Sequence, residues 1–273
     1  MWKKIFGFLL TASMIFTSTA FAQSEKVEIE GDHGKLAAII QTPDNQKNFP
    51  LVIICHGFTG NKNEKLLTNL SDDLEKVGIA SIRFDFNGHG ESEGNFQDMT
   101  VLNEIEDAKK IYDYVSKISG VTSISVAGHS QGGVVSSMIA GQLGEKKIKA
   151  VALMAPAAVL RDNARAGEFF GKTYDAKNPP EYVEVFDNHK VGRNYILTAQ
   201  TLPIYETAEK FQGPALIVHG TGDAIVPYGY GLRYHDIYKN SEICLLHGFD
   251  HGFNQDNEKA AKIVADFFAK KLL

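Results

Sequence analysis

The sequence predicts an α/β protein with a mostly parallel central sheet flanked by helices on both faces. Two observations carry this. Apolar, β-branched runs alternate along the chain with amphipathic stretches, and most of those runs are apolar throughout, as strands covered on both faces must be. No internal repeat or low-complexity segment breaks the alternation after the first residues. At 273 residues and 44% hydrophobic content, the chain can build one large core or two small ones. Its net charge of −5 comes without a Lys/Arg run or basic stripe, so the sequence argues against nucleic acid as a partner.

The elements follow in order. Trp2-Lys3-Lys4, the apolar Ile5 to Phe16 and the small-x-small Ala20-Phe21-Ala22 read as a secretory signal peptide over residues 1–22, with a mature chain of 23–273. The protein is therefore expected to be exported, periplasmic or extracellular in a bacterium. No later segment approaches about 18 continuous apolar residues, so no membrane partner is expected once the leader is removed. Val27 to Ile40 reads as a hairpin around Gly31-Asp32-His33-Gly34. Leu51 to Cys55 is a buried strand. Leu66, Leu67, Leu70, Leu74 and Val77 give a helix over 65–77, stopped by Gly78. A strand over 79–84, a helix over 101–118, a strand over 121–127, a helix to about Leu143 and a strand over 148–154 come next. Two more strands, 215–218 and 242–246, enclose a helix, and a last helix runs over about 257–271. Residues 159–205 break the rhythm with Asn178-Pro179-Pro180, several glycines and many aromatics. They read as a cap inserted over the C-terminal edge of the sheet.

Cys55 and Cys244, the two cysteines, each sit in an apolar strand candidate and are expected to be free thiols. No His/Asp/Glu cluster has metal-ligand spacing, so neither metal nor cofactor is expected.

In open α/β sheets, ligand sites form outside the carboxyl ends of the strands. Gly128-His129-Ser130-Gln131-Gly132 matches G-x-S-x-G between a strand and a helix. A tight turn there lifts a serine Oγ clear of the sheet, and the glycines let strand and helix pass closely. A serine hydroxyl needs a base, and the base needs an orienting acid. Asp223 stands at the end of the 215–218 strand and His251 on the loop after the 242–246 strand. His247, Asp250 and Asp236 compete for these roles. His247 would still lie at the strand terminus, Asp250 would point away from its neighbour His251, and Asp236 falls in a helix. The oxyanion hole needs two backbone N–H donors. Gln131, at a helix N-terminus, supplies one. Phe58, in His56-Gly57-Phe58-Thr59-Gly60, supplies the second, with its ring walling the acyl pocket. His56 reads as a structural hydrogen bond beneath that loop, and Asp85-Phe86-Asn87-Gly88-His89-Gly90-Glu91-Ser92 as a structural loop near the site.

Jointly, H-G-F-x-G, D-x-x-G-H-G-x-S, G-H-S-Q-G-G, H-G-x-x-D and D-H-x-F resemble the α/β-hydrolase superfamily across nearly the whole mature chain. "HGFTGNKNE", "GHSQGGVV", "LMAPAAVLRDNA" and "LPIYE" resemble its bacterial cinnamoyl (feruloyl) esterases, which carry a small inserted cap. The resemblance implies an α/β-hydrolase fold and a secreted serine carboxylesterase acting on hydroxycinnamate esters of plant cell-wall sugars, without a cofactor. It further implies that Asp162 and Tyr195 hold the phenolic hydroxyl, while a polar cap position of the family is replaced around Phe169-Phe170. The partner expected is an aromatic ester, as a small molecule or linked to an oligosaccharide; a homodimer is compatible with the reading. A general short-chain carboxylesterase or lipase is the alternative within the same chemistry. A non-catalytic binding module on the same fold would have lost Ser130, Asp223 or His251, and all three are present.

Overall fold

A computed structural model of the chain describes residues 23–44 and 46–273. The leader expected over residues 1–22 lies outside the described residues. In chain order the first half contains β1 (Gln23–Glu30), β2 (Lys35–Thr42), β3 (Phe49–Cys55), α1 (Lys65–Lys76), β4 (Ala80–Phe84), α2 (Val101–Val115), β5 (Val121–His129), α3 (Gln131–Leu143) and β6 (Ile148–Met154). A run of short elements follows: α4 (Val159–Ala166), β7 (Glu168–Phe169), β8 (Lys172–Thr173), β9 (Tyr182–Glu184), β10 (Lys190–Gly192), α5 (Arg193–Thr201) and α6 (Ile204–Ala208). After it come β11 (Ala215–Gly220), α7 (Gly229–Ile237), β12 (Ser241–Leu246) and α8 (Asn257–Leu272).

Eight strands form the central sheet in the order β1-β2-β4-β3-β5-β6-β11-β12. β1–β2 and β2–β4 are antiparallel, and every other neighbouring pair is parallel. The continuous apolar runs have their physical reason here. In β3, Leu51, Ile53 and Cys55 enter one core with α2 (Ile105, Ile111) and α3 (Val134, Met138). Val52 and Ile54 enter the other with α1 (Leu67, Leu70, Leu74) and α8 (Val264, Phe268). Each such side chain contributes about 1.5–3 kcal/mol by leaving water. Side-chain caps start the helices: Thr100 Oγ1 accepts from Asn103 N at 3.1 Å, and Asp256 Oδ1 from Lys259 N at 2.9 Å. α2 stops at Val115, before the expected 118, because the chain reverses into β5 at Gly120, whose φ is +94°. Cys55 is buried, Cys244 partly so, and both are free thiols.

Within 159–205 the two short hairpins β7–β8 and β9–β10 stay separate from the central sheet. Arg161 fastens α4 from below: its guanidinium donates to Leu202 O at 3.3 Å and to Glu206 at 3.1 Å. α6 packs on α3, so the end of this segment already belongs to the main core. The parallel order leaves the C-terminal ends of β3, β5, β6, β11 and β12 side by side, and the loops leaving them share one edge.

Candidate active site

Ser130 stands alone between β5 and α3, with φ 55° and ψ −121°. Such a backbone costs a non-glycine residue about 1–3 kcal/mol and persists only where its surroundings hold it. Ser130 N donates to Met154 O at 2.9 Å, and Ser130 O accepts from Gly133 N and Ala157 N, each at 3.0 Å. The flanking glycines are steric requirements. A Cβ on Gly128 would lie 2.1 Å from Gly132 O, and one on Gly132 would lie 2.3 Å from His56 O.

The loops after β11 and β12 complete a line of hydrogen bonds. His251 Nε2 is 2.8 Å from Ser130 Oγ, and His251 Nδ1 is 2.8 Å from Asp223 Oδ2. A carboxylate only accepts, so Nδ1 carries the proton and Nε2 is free to accept the serine hydroxyl proton. Asp223 is 7% exposed, and its Oδ1 accepts from the N–H groups of Ile225 (2.9 Å) and Val226 (2.8 Å). Burial pushes its carboxyl up, but hydrogen bonds from His219 and His251 outweigh burial and hold it well below the ordinary carboxylate range. The competing residues point elsewhere. His247 is exposed, Asp250 accepts from Asn254 instead, and Asp236 lies in α7.

Phe58 and Gln131 line the same cavity as Ser130. Among the described residues no hydrogen bond draws on the N–H of either. The loop carrying Phe58 is pinned below by the fully buried His56, which bonds Gly57 O at 2.8 Å through Nδ1 and accepts from Phe86 N at 3.0 Å through Nε2. Burial lowers the His56 imidazole to about 4, so it stays neutral. Farther along, Lys62 and Asp85 form a buried ion pair at 2.5 Å.

The cavity measures about 250 Å3. Phe58, Phe169, Phe170 and Tyr195 supply its aromatic wall, and Asn163 and Glu168 are polar residues of its lining. Phe58 and Phe170 stack at 5.4 Å with 23° between planes, and Phe169 meets Tyr195 edge-on at 5.4 Å. Tyr195 is almost fully buried and its hydroxyl donates to Gln131 Oε1 at 2.7 Å. Asp162 is a correction. It is exposed, accepts from Tyr230 Oη at 2.9 Å and does not line the cavity. α4 turns Val159, Leu160 and Asn163 inward at i, i+1 and i+4, which sends Asp162 to the outer face.

Sequence reasoning also missed a buried polar chain. Gln131 Nε2 donates to both carboxyl oxygens of Glu104, at 2.8 and 2.9 Å. Burial pushes Glu104 up to about 8, against the pull of the Gln131 hydrogen bond. The signal was available: Glu104 shares the α2 stripe with Ala108, Ile111 and Val115, where a charged residue has to have a buried partner. Among the described residues, no group of three or more His, Cys, Asp or Glu is placed to hold a metal ion, and no helix is long and apolar enough to cross a membrane.

A mainly parallel sheet with a serine on a strained strand-to-helix turn, facing a histidine and an aspartate from later strand ends, defines an α/β-hydrolase. The chain belongs to the hydrolase family described as "Serine aminopeptidase, S33", whose model matches residues 46–195. It falls in the cinnamoyl esterase-like subgroup. It is similar to Est1E from Butyrivibrio proteoclasticus solved with ferulic acid bound, at 34% identity and TM-score 0.87, covering 90% of this chain and 98% of that one. A second structure of Est1E from Butyrivibrio proteoclasticus matches at 32% identity and TM-score 0.83, with the same coverage of 90% and 98%. Lysophosphatidylserine lipase ABHD12 of Danio rerio is 24% identical over 238 residues, which are 81% of this chain and 59% of that protein. The chain thus spans about three-fifths of the length of that curated relative.

Proposed function

We propose that this hydrolase is a serine carboxylesterase acting on hydroxycinnamate esters, feruloyl or p-coumaroyl, such as those of plant cell-wall sugars. The observation that carries the reading is the aromatic slot beside Ser130. Phe58, Phe169, Phe170 and Tyr195 form walls suited to a flat ring, and Asn163 and Tyr195 offer polar atoms to a phenolic hydroxyl. The similarity to Est1E, a chain solved with ferulic acid bound, supports the same substrate class.

In this reading Ser130 Oγ attacks the ester carbonyl while its proton passes to His251 Nε2. The oxyanion is held by the N–H groups of Phe58 and Gln131, the latter at the positive end of α3. Asp223 keeps the His251 proton on Nδ1 and stabilises the imidazolium. The tetrahedral species collapses, and His251 gives its proton to the departing alcohol. Water then enters, loses a proton to His251 and attacks the acyl-serine. A second collapse releases the hydroxycinnamic acid and returns the proton to Ser130.

The test compares kcat/KM for methyl ferulate, methyl p-coumarate, methyl cinnamate and p-nitrophenyl acetate. A preference for the hydroxycinnamates over methyl cinnamate, weakened by Asn163→Ala, is expected. High acetate turnover with little on ferulate would move the function to a general short-chain carboxylesterase and remove the phenol-reading role from Asn163 and Tyr195.

A further inference from the structure

His219 is the last residue but one of β11, four residues before Asp223, and is fully buried. Its two nitrogens have opposite surroundings. Nε2 lies 3.2 Å from Asp223 Oδ2 and 2.9 Å from the carbonyl oxygen of Val226. Both partners only accept, so Nε2 carries the proton and divides it between them. Nδ1 is buried without a hydrogen-bond partner among the described residues. It faces α7 at Gly231, where a Cβ would lie 2.5 Å from it. A histidine kept only as core filling has no reason to aim its one donor at the acid of the site and leave its other nitrogen bare.

We propose that His219 is a positioning residue of the hydrolytic centre, a second imidazole on the Asp223 carboxylate. The proposal rests on reading Ser130, His251 and Asp223 as the catalytic triad. Two consequences follow from the shared proton. On Asp223 Oδ2, His219 competes with His251 for the same oxygen, so the acid holds the His251 proton less tightly than a singly bonded carboxylate would. On Val226, the same N–H fixes the loop whose Ala224, Ile225 and Val226 wall the cavity. One buried donor thereby sets both the strength of the acid and the position of the wall next to it.

The charged and titratable groups facing this pair are few. From β5, His129 Nε2 bonds the His251 carbonyl at 2.9 Å, with ring centroids 4.9 Å apart. Burial first, and His251 second, hold the His129 imidazole down at about 3, so it adds no charge near neutral pH. From the loop of His251 itself comes Asp250, whose carboxylate is taken up by Asn254. From β11 comes His219. No cation supports Asp223 from these elements, which leaves its strength to the hydrogen bonds it accepts.

The test uses His219→Gln and His219→Leu. Glutamine can place an N–H near the position of Nε2, and leucine fills similar volume without a donor. For His219→Leu, kcat/KM on the best ester should fall on the order of ten-fold. The acid limb of its pH profile should move to higher pH, by about half a unit. The sign follows from the chemistry: an Asp223 freed of one donor holds the His251 imidazolium more firmly, so the base loses its proton later. His219→Gln should restore both the rate and the limb. A purely structural histidine would lower the rate of both variants and leave the limb in place, which overturns the proposal. Should His219→Leu fail to fold, the 15N-labelled wild-type protein decides: the proton on Nε2 of His219 is expected, and a proton on Nδ1 sinks the assignment. Labelling of Ser130 by a fluorophosphonate separates the two levels. With Ser130 unlabelled the triad reading itself fails; with Ser130 labelled and the limb unmoved, only the role of His219 does.

Discussion

The turn after β5 and the loop after β11, which the loop after β12 joins through His251, border one cavity with the segment from α4 to α5, yet the two sides are held by opposite means. On the strand-end side, directional hydrogen bonds hold the reacting groups. Ser130 is fixed by bonds at its own N and O, and the Asp223 carboxylate accepts from two imidazoles and two backbone amides. On the cap side, rings rest against rings: Phe170 stacks on Phe58 and meets Phe186 edge-on at 5.0 Å, while being 42% exposed. Directional bonds fix an atom to within tenths of an ångström, as proton transfer between Ser130 and His251 demands. Ring contacts fix a surface and let it shift, as recognition of an acyl group allows. The two sides should therefore fail differently under substitution.

The strand-end side should fail almost completely. Ser130→Ala removes the nucleophile, and kcat on any ester should drop on the order of 10^5-fold, with KM little changed. Asp223→Asn, which keeps the shape and spoils the His251 tautomer, should cost on the order of 10^4-fold in kcat. Both are read from steady-state kinetics on p-nitrophenyl acetate, which barely needs the cap. Wild-type turnover in either variant would dissolve the contrast, because Ser130 or Asp223 would then be an ordinary turn residue.

The cap side should fail by degrees. Phe170→Ala removes the ring stacked on Phe58 but no hydrogen bond of the strand-end network. KM for methyl ferulate should rise about three- to ten-fold, matching roughly 1 kcal/mol for a stacked pair. Turnover of p-nitrophenyl acetate should stay within about two-fold. An equal loss on both substrates would mean that the hairpin β7–β8 supports the serine itself.

The same contrast explains what could be read from residues alone. The central sheet was legible because a strand buried on both faces has to be apolar at every position, as Leu51 to Cys55 are. Ser130, Asp223 and His251 were legible because each follows a strand of the parallel part of the sheet, the last of them the half-exposed edge strand β12, so strand order alone brought them to one edge. The cap was not. Its elements are two to nine residues long and are held by tertiary contacts, such as that of Arg161 with Glu206, rather than by their own periodicity. Over the eight residues of α4, helical phase cannot be fixed from sequence, and the inward residue proved to be Asn163 where Asp162 had been expected. His219 was missed for another reason. Its neighbourhood was recognised for Asp223, and nothing in a β-strand tells which ring nitrogen will face the acid.

A pH titration of stability tests where the two sides meet. Gln131 belongs to the nucleophile turn, Tyr195 to the cap, and Glu104 joins them from α2. Burial raises Glu104 from an ordinary 4.5 to about 8, so between those values the folded chain keeps a proton that the unfolded chain has lost. The unfolded state then binds fewer protons, and stability falls as pH rises through this window. Asp107 shows the same direction, raised by burial to about 6. The buried histidines act in the opposite sense at lower pH: burial lowers His56 to about 4 and His89 to about 3, and this ceases to matter above about 6.5. From pH 6.5 to 8 Glu104 shares the window with Glu64, which burial raises to about 7, so the difference between the wild type and Glu104→Gln isolates Glu104. Urea unfolding of the wild type should lose on the order of 2 kcal/mol across this window relative to Glu104→Gln, which keeps an acceptor for Gln131 and has no charge to lose. Parallel curves for the two proteins would show that Glu104 reaches water when ionised, and that the join between nucleophile turn and cap is looser than its 2.7–2.9 Å bonds describe.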